Sequence, residues 1–425
     1  MGKERTYSRW AILITVLVMT FMVCLDSSIV VVALPVIQKE LAVGLDEIQW
    51  VSSTYLLATC VGVLPFGRLG DRRGKVYVFQ GGVVVFTLGS LLCGLSTTLP
   101  VLVAARVVQG IGCAAAMANN MGIITEAFPA RERGRAMGLL ATFVALGMMA
   151  GPVLGGLIVS SFAWEGIFLI NVPVGIASFL VGLRTLPHVR PAETGAPVLS
   201  FLGSARTCFS SLTFSLNLAT MLIVFVGIGA SEFCLPFYFQ DAHGFSAGVA
   251  SLLFMTLPVV NAVVGPISGT VSDRVGCEVP TAVGLAINVC GLVLVGRLDE
   301  ASPIVAIVLC VGLMSLGTSI FQSPNNSLFM GSAPKEALGF AGSLSSLARY
   351  AGMALGISGG SSVLYGQMSV AAGRAVTSYV PGRPDIFLAG FSAVFHLLAV
   401  VSAVGFAITL VRLVRSRNKA RAKRG

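Results

Sequence analysis

Polar and apolar residues hardly alternate along this chain. Apolar residues instead gather in long runs near 11–33, 47–66, 76–96, 100–122, 135–158, 164–184, 212–236, 247–270, 279–296, 302–323, 339–364 and 386–411. A helix rises about 1.5 Å per residue, and about 20 residues suffice to cross the roughly 30 Å hydrocarbon layer of a bilayer. Helices also satisfy their own backbone N–H and C=O groups, as a segment in lipid must. The pattern predicts an all-α integral membrane protein with about twelve transmembrane helices. The gap after residue 184 contains Pro187, Pro191, Glu193 and Pro197 and no run able to cross. That divides the chain into a six-helix bundle at 1–184, a linker at 185–211, a second six-helix bundle at 212–411 and a basic tail at 412–425.

The polar breaks carry an internal duplication. The break GRLGDRRGK has a reduced second copy, GTVSDRVG, in which Gly67, Asp71, Arg72 and Gly74 recur as Gly269, Asp273, Arg274 and Gly276, each 202 positions later. Gly147, Gly151 and Gly155 in the fifth run recur as Gly352, Gly356 and Gly360 in the eleventh, 205 positions later. Two pseudo-symmetric bundles are thereby expected. Arg68, Arg72, Arg73 and Lys75 require the first break to sit in water at a membrane face. Its glycines at 67, 70 and 74 permit a tight reversal and close helix approach. Asp71 is placed to accept from helix-start N–H groups or to pair with the arginines. An ordinary solvated loop is the alternative for one copy; the second copy weighs against it.

Composition and charge add orientation. With 55% hydrophobic and 11% charged residues and a mean hydropathy of +0.89, the chain lies outside the range of soluble domains. The first run follows Lys3, Arg5 and Arg9 without a cleavage signal and is expected to remain as a span. One set of alternate breaks holds the N-terminus, the 67–75 break, Arg131, Arg133, Arg135, Arg184, Arg190, Arg206, Arg274, Lys335 and the tail from Arg412 to Arg424. The other holds only Lys39, Arg297, Arg374 and Arg383. The positive-inside rule makes the first set, and both termini, cytoplasmic. The net charge of +10 then reflects topology and attraction to anionic lipid rather than nucleic-acid binding, because a span followed by basic residues is an ordinary stop-transfer arrangement. The nine cysteines show no C-x-x-C spacing and read as small apolar fillers, not disulfides or metal ligands.

Few polar side chains interrupt the spans. Asp26 stands in an uncharged run, where facing lipid costs about 2.5–3.5 kcal/mol or more. It should face a cavity, or else be bonded to a neighbouring helix. Arg106, Gln109 and Cys113 fall near one helical face beside Gly110 and Gly112, and a buried arginine needs a partner. Glu232, in the seventh run, lies one helical turn beyond position 228, the duplicate of position 26; it is either a substrate-facing acid or an interfacial residue near the outer end of its span. The glycines of the fifth run stack along one side and let another helix approach, Gly156 extends the motif, and Pro152 adds a bend. Arg349, Gly352 and Gly356 mark the mirror segment of the second half.

These strings resemble the major facilitator superfamily. The 67–79 segment is similar to its G-x-L-a-D-R-x-G-R-K loop between spans 2 and 3, with Val76 where a second basic residue is usual. LDSSIVVVALP from Leu25 resembles the span 1 signature of the drug:proton antiporters of the fourteen-span branch, departing at Ser28 and at Val31, where asparagine is usual. RVVQGIGCA from Arg106 matches the span 4 motif, and GMMAGPVLGG from Gly147 looks like the antiporter motif that marks exporters. FLINVPVG from Phe168, LPFYFQ from Leu235 and SPNNSLFMGSAP from Ser323 extend the likeness over nearly the whole chain, although Glu165 stands where arginine is usual. The linker lacks the two additional spans of that branch, so a twelve-span member is expected.

The resemblance implies the major facilitator fold and a role for Arg106 in proton movement or substrate binding; a purely structural arginine is the alternative, and the two roles can coexist. Two parallel repeats with sparse intramembrane charge also fit an alternating-access secondary transporter. No G-x4-G-K-[ST] sequence supports ATP hydrolysis. The expectation is a carrier rather than an enzyme, without a cofactor, driven by protons through Asp26, Arg106 and Glu232. Asp26, Gln109, Asn120 and Glu232 are the candidate substrate contacts, Gly67, Asp71, Arg72, Gly74, Asp273 and Arg274 the gating residues. The expected protein is a monomer of the cell inner membrane exporting small lipophilic or cationic drugs or toxic metabolites. Proton-coupled uptake, or a transport-inactive receptor or scaffold on the same fold, are the alternatives.

Overall fold

In a computed structural model the described residues are 8–187, 201–334 and 338–422. Arg190, most of the linker, Lys335, the residues before Ser8 and the last three of the tail lie outside them, as do the side chains of Arg131, Arg133, Arg135 and Asp273. The described residues form helices and connecting turns. In chain order the helices are α1 (Arg9–Leu41), α2 (Leu45–Arg73), α3 (Lys75–Gly94), α4 (Leu99–Ala127), α5 (Ala130–Ser161), α6 (Gly166–Leu169), α7 (Asn171–Thr185), α8 (Phe201–Phe209), α9 (Leu212–Phe237), α10 (Ala247–Phe254), α11 (Thr256–Val275), α12 (Glu278–Val295), α13 (Ile304–Gly331), α14 (Leu338–Ala372) and α15 (Pro384–Ala422), with a π-helical turn at Tyr238–Ala242 after α9.

Among the described residues, eleven helical segments are long and apolar enough to cross a membrane, against the twelve expected. The difference is α14. Its 35 residues suffice in length, but its many glycines and serines, together with Arg349, dilute its hydropathy. Two of the eleven are broken helices, α6 with α7 and α10 with α11. Each break has the same cause: Pro173 and Pro258 have no N–H to give the carbonyl four residues earlier, and α6 and α10 end at those residues, Leu169 and Phe254. The short helix α8, at 9 residues, is no further span.

The 67–75 segment is not the loop expected. Gly67 and Gly70 are helical, α2 runs on through Arg73, and the reversal is confined to Gly74 at φ 106°. Its copy Gly276 has φ 85° and ends α11 in the same way. Only at these two positions does the turn need a residue tolerant of positive φ.

Two compact units form, one of Met1–Val43, Trp50–Ala196 and Ala247–Ser251, the other of Gly44–Gln49, Pro197–Ser246 and Leu252–Gly425. In the first, α1 packs on α5, and α3 on both α4 and α7; in the second, α9 packs on α14, and α12 on both α13 and α15. The duplication is thus a duplication of packing, down to single glycines. A Cβ on Gly82 would lie 2.6 Å from the backbone N of Ala116, and one on Gly284 would lie 2.6 Å from that of Phe321. The short segment Gly44–Gln49 groups with the second unit because Leu45 N–H donates to Thr377 O at 2.5 Å and Ser361 Oγ donates to Gln49 Oε1.

Candidate functional site

The polar centre of the first unit is built from five helices. α1 contributes Asp26, and α4 contributes Arg106 and Gln109, three residues apart and hence on one face. α2 contributes the Val51 carbonyl and, one turn on, Tyr55; α3 contributes Ser90 and Cys93. Asn171 is the first residue of α7, placed there by the break before Pro173.

Asp26 is wholly buried, and three N–H donors converge on it. Arg106 Nη1 donates to Oδ2 at 2.8 Å. Gln109 Nε2 and Asn171 Nδ2 donate to Oδ1 at 2.8 and 2.7 Å. Arg106, 1% exposed, also donates through Nε to Val51 O at 2.9 Å and through Nη1 to Gln109 Oε1 at 2.6 Å. Its guanidinium carbon lies 4.1 Å from the Tyr55 ring centroid and 5.7 Å from that of Phe168, so ring faces supply further favourable electrostatics to the cation. Gln109 is held at both ends: Nε2 also donates to Ser90 Oγ at 2.8 Å, and Oε1 also receives the Cys93 thiol at 3.7 Å. An ion pair so enclosed needs such bonds, because removing both charges from water costs several kcal/mol per ion.

The sequence identified Asp26, Arg106 and Gln109, and the fold brings them together. It does not bring Asn120 to them. Asn120 Nδ2 donates instead to Thr20 Oγ1 at 2.7 Å, tying α4 to α1 away from the carboxylate. Glu232 is partly exposed on α9 and has no hydrogen-bond or ion-pair partner among the described residues. Val51, Tyr55, Ser90 and Asn171 were missed as partners. Asn171 sat in a recognised string, FLINVPVG, but nothing local in that string says what its amide faces.

Among the described residues, no ion pair occupies the corresponding place in the second unit. The helices that meet Gly147 and Gly352 match Phe21 O with Leu222 O and Cys24 with Phe225, so the packing counterparts of Asp26, Arg106 and Gln109 are Gly227, Val311 and Met314. Gly227 brings no side chain to this place, and Val311 and Met314 are buried.

The glycine face of α5 lies against α1, as the spacing implied. Ser28 Oγ donates to Gly147 O at 3.3 Å, a Cβ on Gly151 would strike the Ser28 side chain, and one on Gly155 would come within 2.9 Å of Ile29. Pro152 lies within the helix, and Gly156 faces Ser251 in the same unit. Gly352 and Gly356 make the corresponding approach of α14 to α9, whereas Arg349 is exposed, 5.4 Å from the Phe225 ring. At the end of α2, Asp71 pairs with Lys75 at 3.2 Å, and Lys75 also pairs with Glu126 of α4 at 2.6 Å. Arg72 and Arg274 are exposed.

This chain is similar to several named transporters. It is 31% identical over 397 residues to the riboflavin transporter RibZ of Clostridioides difficile (strain 630), covering 82% of this chain and 86% of that one. It is 30% identical over 400 residues to the tetracenomycin C resistance and export protein of Streptomyces glaucescens, covering 82% and 74%. It is 28% identical over 401 residues to the multidrug resistance protein Stp of Mycobacterium tuberculosis, covering 82% and 74%. A crystal structure of a bacterial homolog of the human lysosomal transporter Spinster, in an inward-facing and unoccupied conformation, shares the fold with a TM-score of 0.77 at 17% identity over 96% of this chain and 97% of that one. The Major Facilitator Superfamily matches residues 16–357. With the duplicated helical units, the span motifs and this match agreeing, the chain belongs to the major facilitator superfamily of membrane transporters.

Proposed function

We propose that this transporter is a proton-coupled exporter of small lipophilic or cationic compounds, working by alternating access, with Asp26 as the group that binds and releases the proton. One observation carries the reading: the second unit repeats the packing of the first but has Gly227, Val311 and Met314 where the first has Asp26, Arg106 and Gln109. The same helix packing therefore forms without an ion pair at this place. Apolar replacement of a buried ion pair is often neutral or stabilising, so the retention of one in the first unit points to work done by the charge. A proton moving down about 100 mV supplies roughly 2.3 kcal/mol, which a carboxylate can harness by exchanging it on opposite sides of the membrane.

In this reading Arg106 and Gln109 hold Asp26 between proton exchanges, and Glu232, an intramembrane acid without a partner among the described residues, attracts the substrate cation or a second proton. The Asp71–Lys75–Glu126 contacts brace the cytoplasmic end of the first unit, and Arg72, Asp273 and Arg274 complete the gating residues. The glycine face of α5 permits the close packing on α1 that switching requires. The working form is a monomer in the cell inner membrane with both termini cytoplasmic. Its partners are the substrate, protons and anionic lipid, with no nucleic acid and no cofactor, and drug or antibiotic resistance is its physiological effect.

The named riboflavin transporter among the relatives favours a second reading, coupled movement of a vitamin-sized solute in either direction. Growth inhibition by a panel of toxic compounds in a host lacking its own pumps would identify the substrate. Flux in right-side-out and inside-out vesicles would then fix direction. Uptake that persists unchanged without a proton gradient would overturn the proposal.

A further inference from the structure

We infer that Asn171 is a positioning residue that serves both protonation states of Asp26: its side-chain amide donates to the ionised carboxylate and, turned over about its Cβ–Cγ bond, accepts the hydrogen bond of the protonated acid. This rests on the proposal that Asp26 exchanges protons.

The argument starts from which carboxylate oxygen can take the proton. Oδ2 faces the cationic Arg106, whereas Oδ1 faces two neutral amides, Gln109 and Asn171. A proton arriving at Oδ1 turns an acceptor into a donor that points at N–H groups. One amide must then present its oxygen instead. Gln109 is pinned, since its nitrogen serves Asp26 and Ser90 while its oxygen receives Arg106 and Cys93. Turning it over would break all four contacts.

Asn171 is bound differently. Its Nδ2 makes the single bond to Asp26, and its Oδ1 is buried without a partner. A buried amide oxygen left unpaired costs about 1–3 kcal/mol, and here that cost leaves the side chain free to turn. Rotation by half a turn brings Oδ1 to the Asp26 hydroxyl and moves Nδ2 to the place Oδ1 held. The number of orphaned ends is unchanged, and the donor-to-donor clash is relieved. No covalent bond is broken; the proton added to Oδ1 comes from the aqueous phase to which access is open.

The other titratable or charged groups facing Asp26 are Arg106 and Cys113 on α4, Tyr55 on α2 and Cys93 on α3. Arg106 donates to the carboxylate or packs on rings and can offer no lone pair. None of the others is hydrogen-bonded to Asp26, so Asn171 is the partner able to change its role.

Isotope-edited infrared spectroscopy of the full protein in lipid films tests this without knowledge of the substrate. With asparagine labelled at its side-chain carbonyl, the band lost in Asn171→Leu is assigned to Asn171, with Asn171→Ser as a second assignment should the leucine variant not fold. The carboxylic-acid band lost in Asp26→Asn is assigned to Asp26. As pH is lowered, the Asn171 carbonyl band should move to lower frequency in step with the appearance of the Asp26 band, because an unbonded carbonyl becomes an acceptor. It should not move in Asp26→Asn. An Asn171 band that stays in place while Asp26 takes its proton overturns this inference and leaves the proton-coupling proposal standing. An Asp26 that never takes a proton removes both.

Discussion

Arg106 Nη1 lies 2.8 Å from Asp26 Oδ2, and the two side chains are 2% and 0% exposed. At that burial the pair behaves as one object: either charge alone has no water to fall back on.

Arg106→Met should therefore destabilise the protein by about 3–5 kcal/mol, the usual cost of leaving one buried charge uncompensated. The triple variant Asp26→Ile, Arg106→Val and Gln109→Met, which replaces the ion pair and its amide by apolar side chains, should lose much less stability and yet lose coupled transport. Thermal unfolding in detergent gives the first comparison and proteoliposome flux the second. A triple variant less stable than Arg106→Met would show that the ionic centre is structural.

Asp26→Asn should still insert, because amide and carboxylate have nearly the same shape, at a cost in stability from the uncompensated Arg106, and it should abolish substrate-driven proton release. Arg106 keeps an oxygen to bond to through the amide. Measured in proteoliposomes with a pH-sensitive dye, undiminished release in this variant would remove Asp26 from the coupling step.

Gly151→Leu places a branched side chain where Ser28 and Ile29 of α1 already stand. Overpacking typically costs about 1–3 kcal/mol, and here it also wedges α5 from α1. Expression near the wild-type level with transport reduced at least tenfold is expected. Normal transport would mean that the α1–α5 contact does not have to stay close during the cycle.

Gly74→Ala and Gly276→Ala probe the reversals at φ 106° and 85°. A side chain forced into this extended positive-φ region costs about 1–3 kcal/mol, so each variant should lower stability by a similar amount. Only Gly74→Ala should disturb the Lys75 bridge to Asp71 and Glu126 as well, weakening an exposed pair by about 0.2–1 kcal/mol. Equal recovery of both variants at high salt would show that the bridge adds nothing.

Much of this protein is determined by local sequence. Apolar runs of spanning length have one stable solution in lipid, and the repeated Gly-Asp-Arg-Gly and Gly-x3-Gly strings reveal two like halves because close helix packing needs glycine at fixed spacing. The isolated Asp26 and Arg106 were legible for the same reason: a charge in an apolar run is costly and stands out. Other features depended on the tertiary structure. Leu338–Ala372 reads as marginal by hydropathy, and the reversal at Gly74 reads as a longer loop because charge near a membrane face does not distinguish helix from turn. Glu126 lies 51 residues from Lys75, and Asn171 lies 145 from Asp26. Their pairing is set by which helix faces which, a relation no local spacing contains. Likewise, the duplicated sequence signals equal packing in the two halves. That one half encloses an ion pair and the other has Gly227, Val311 and Met314 there becomes visible only when the helices are matched by their contacts, since a buried charge acquires its role from the donors gathered around it.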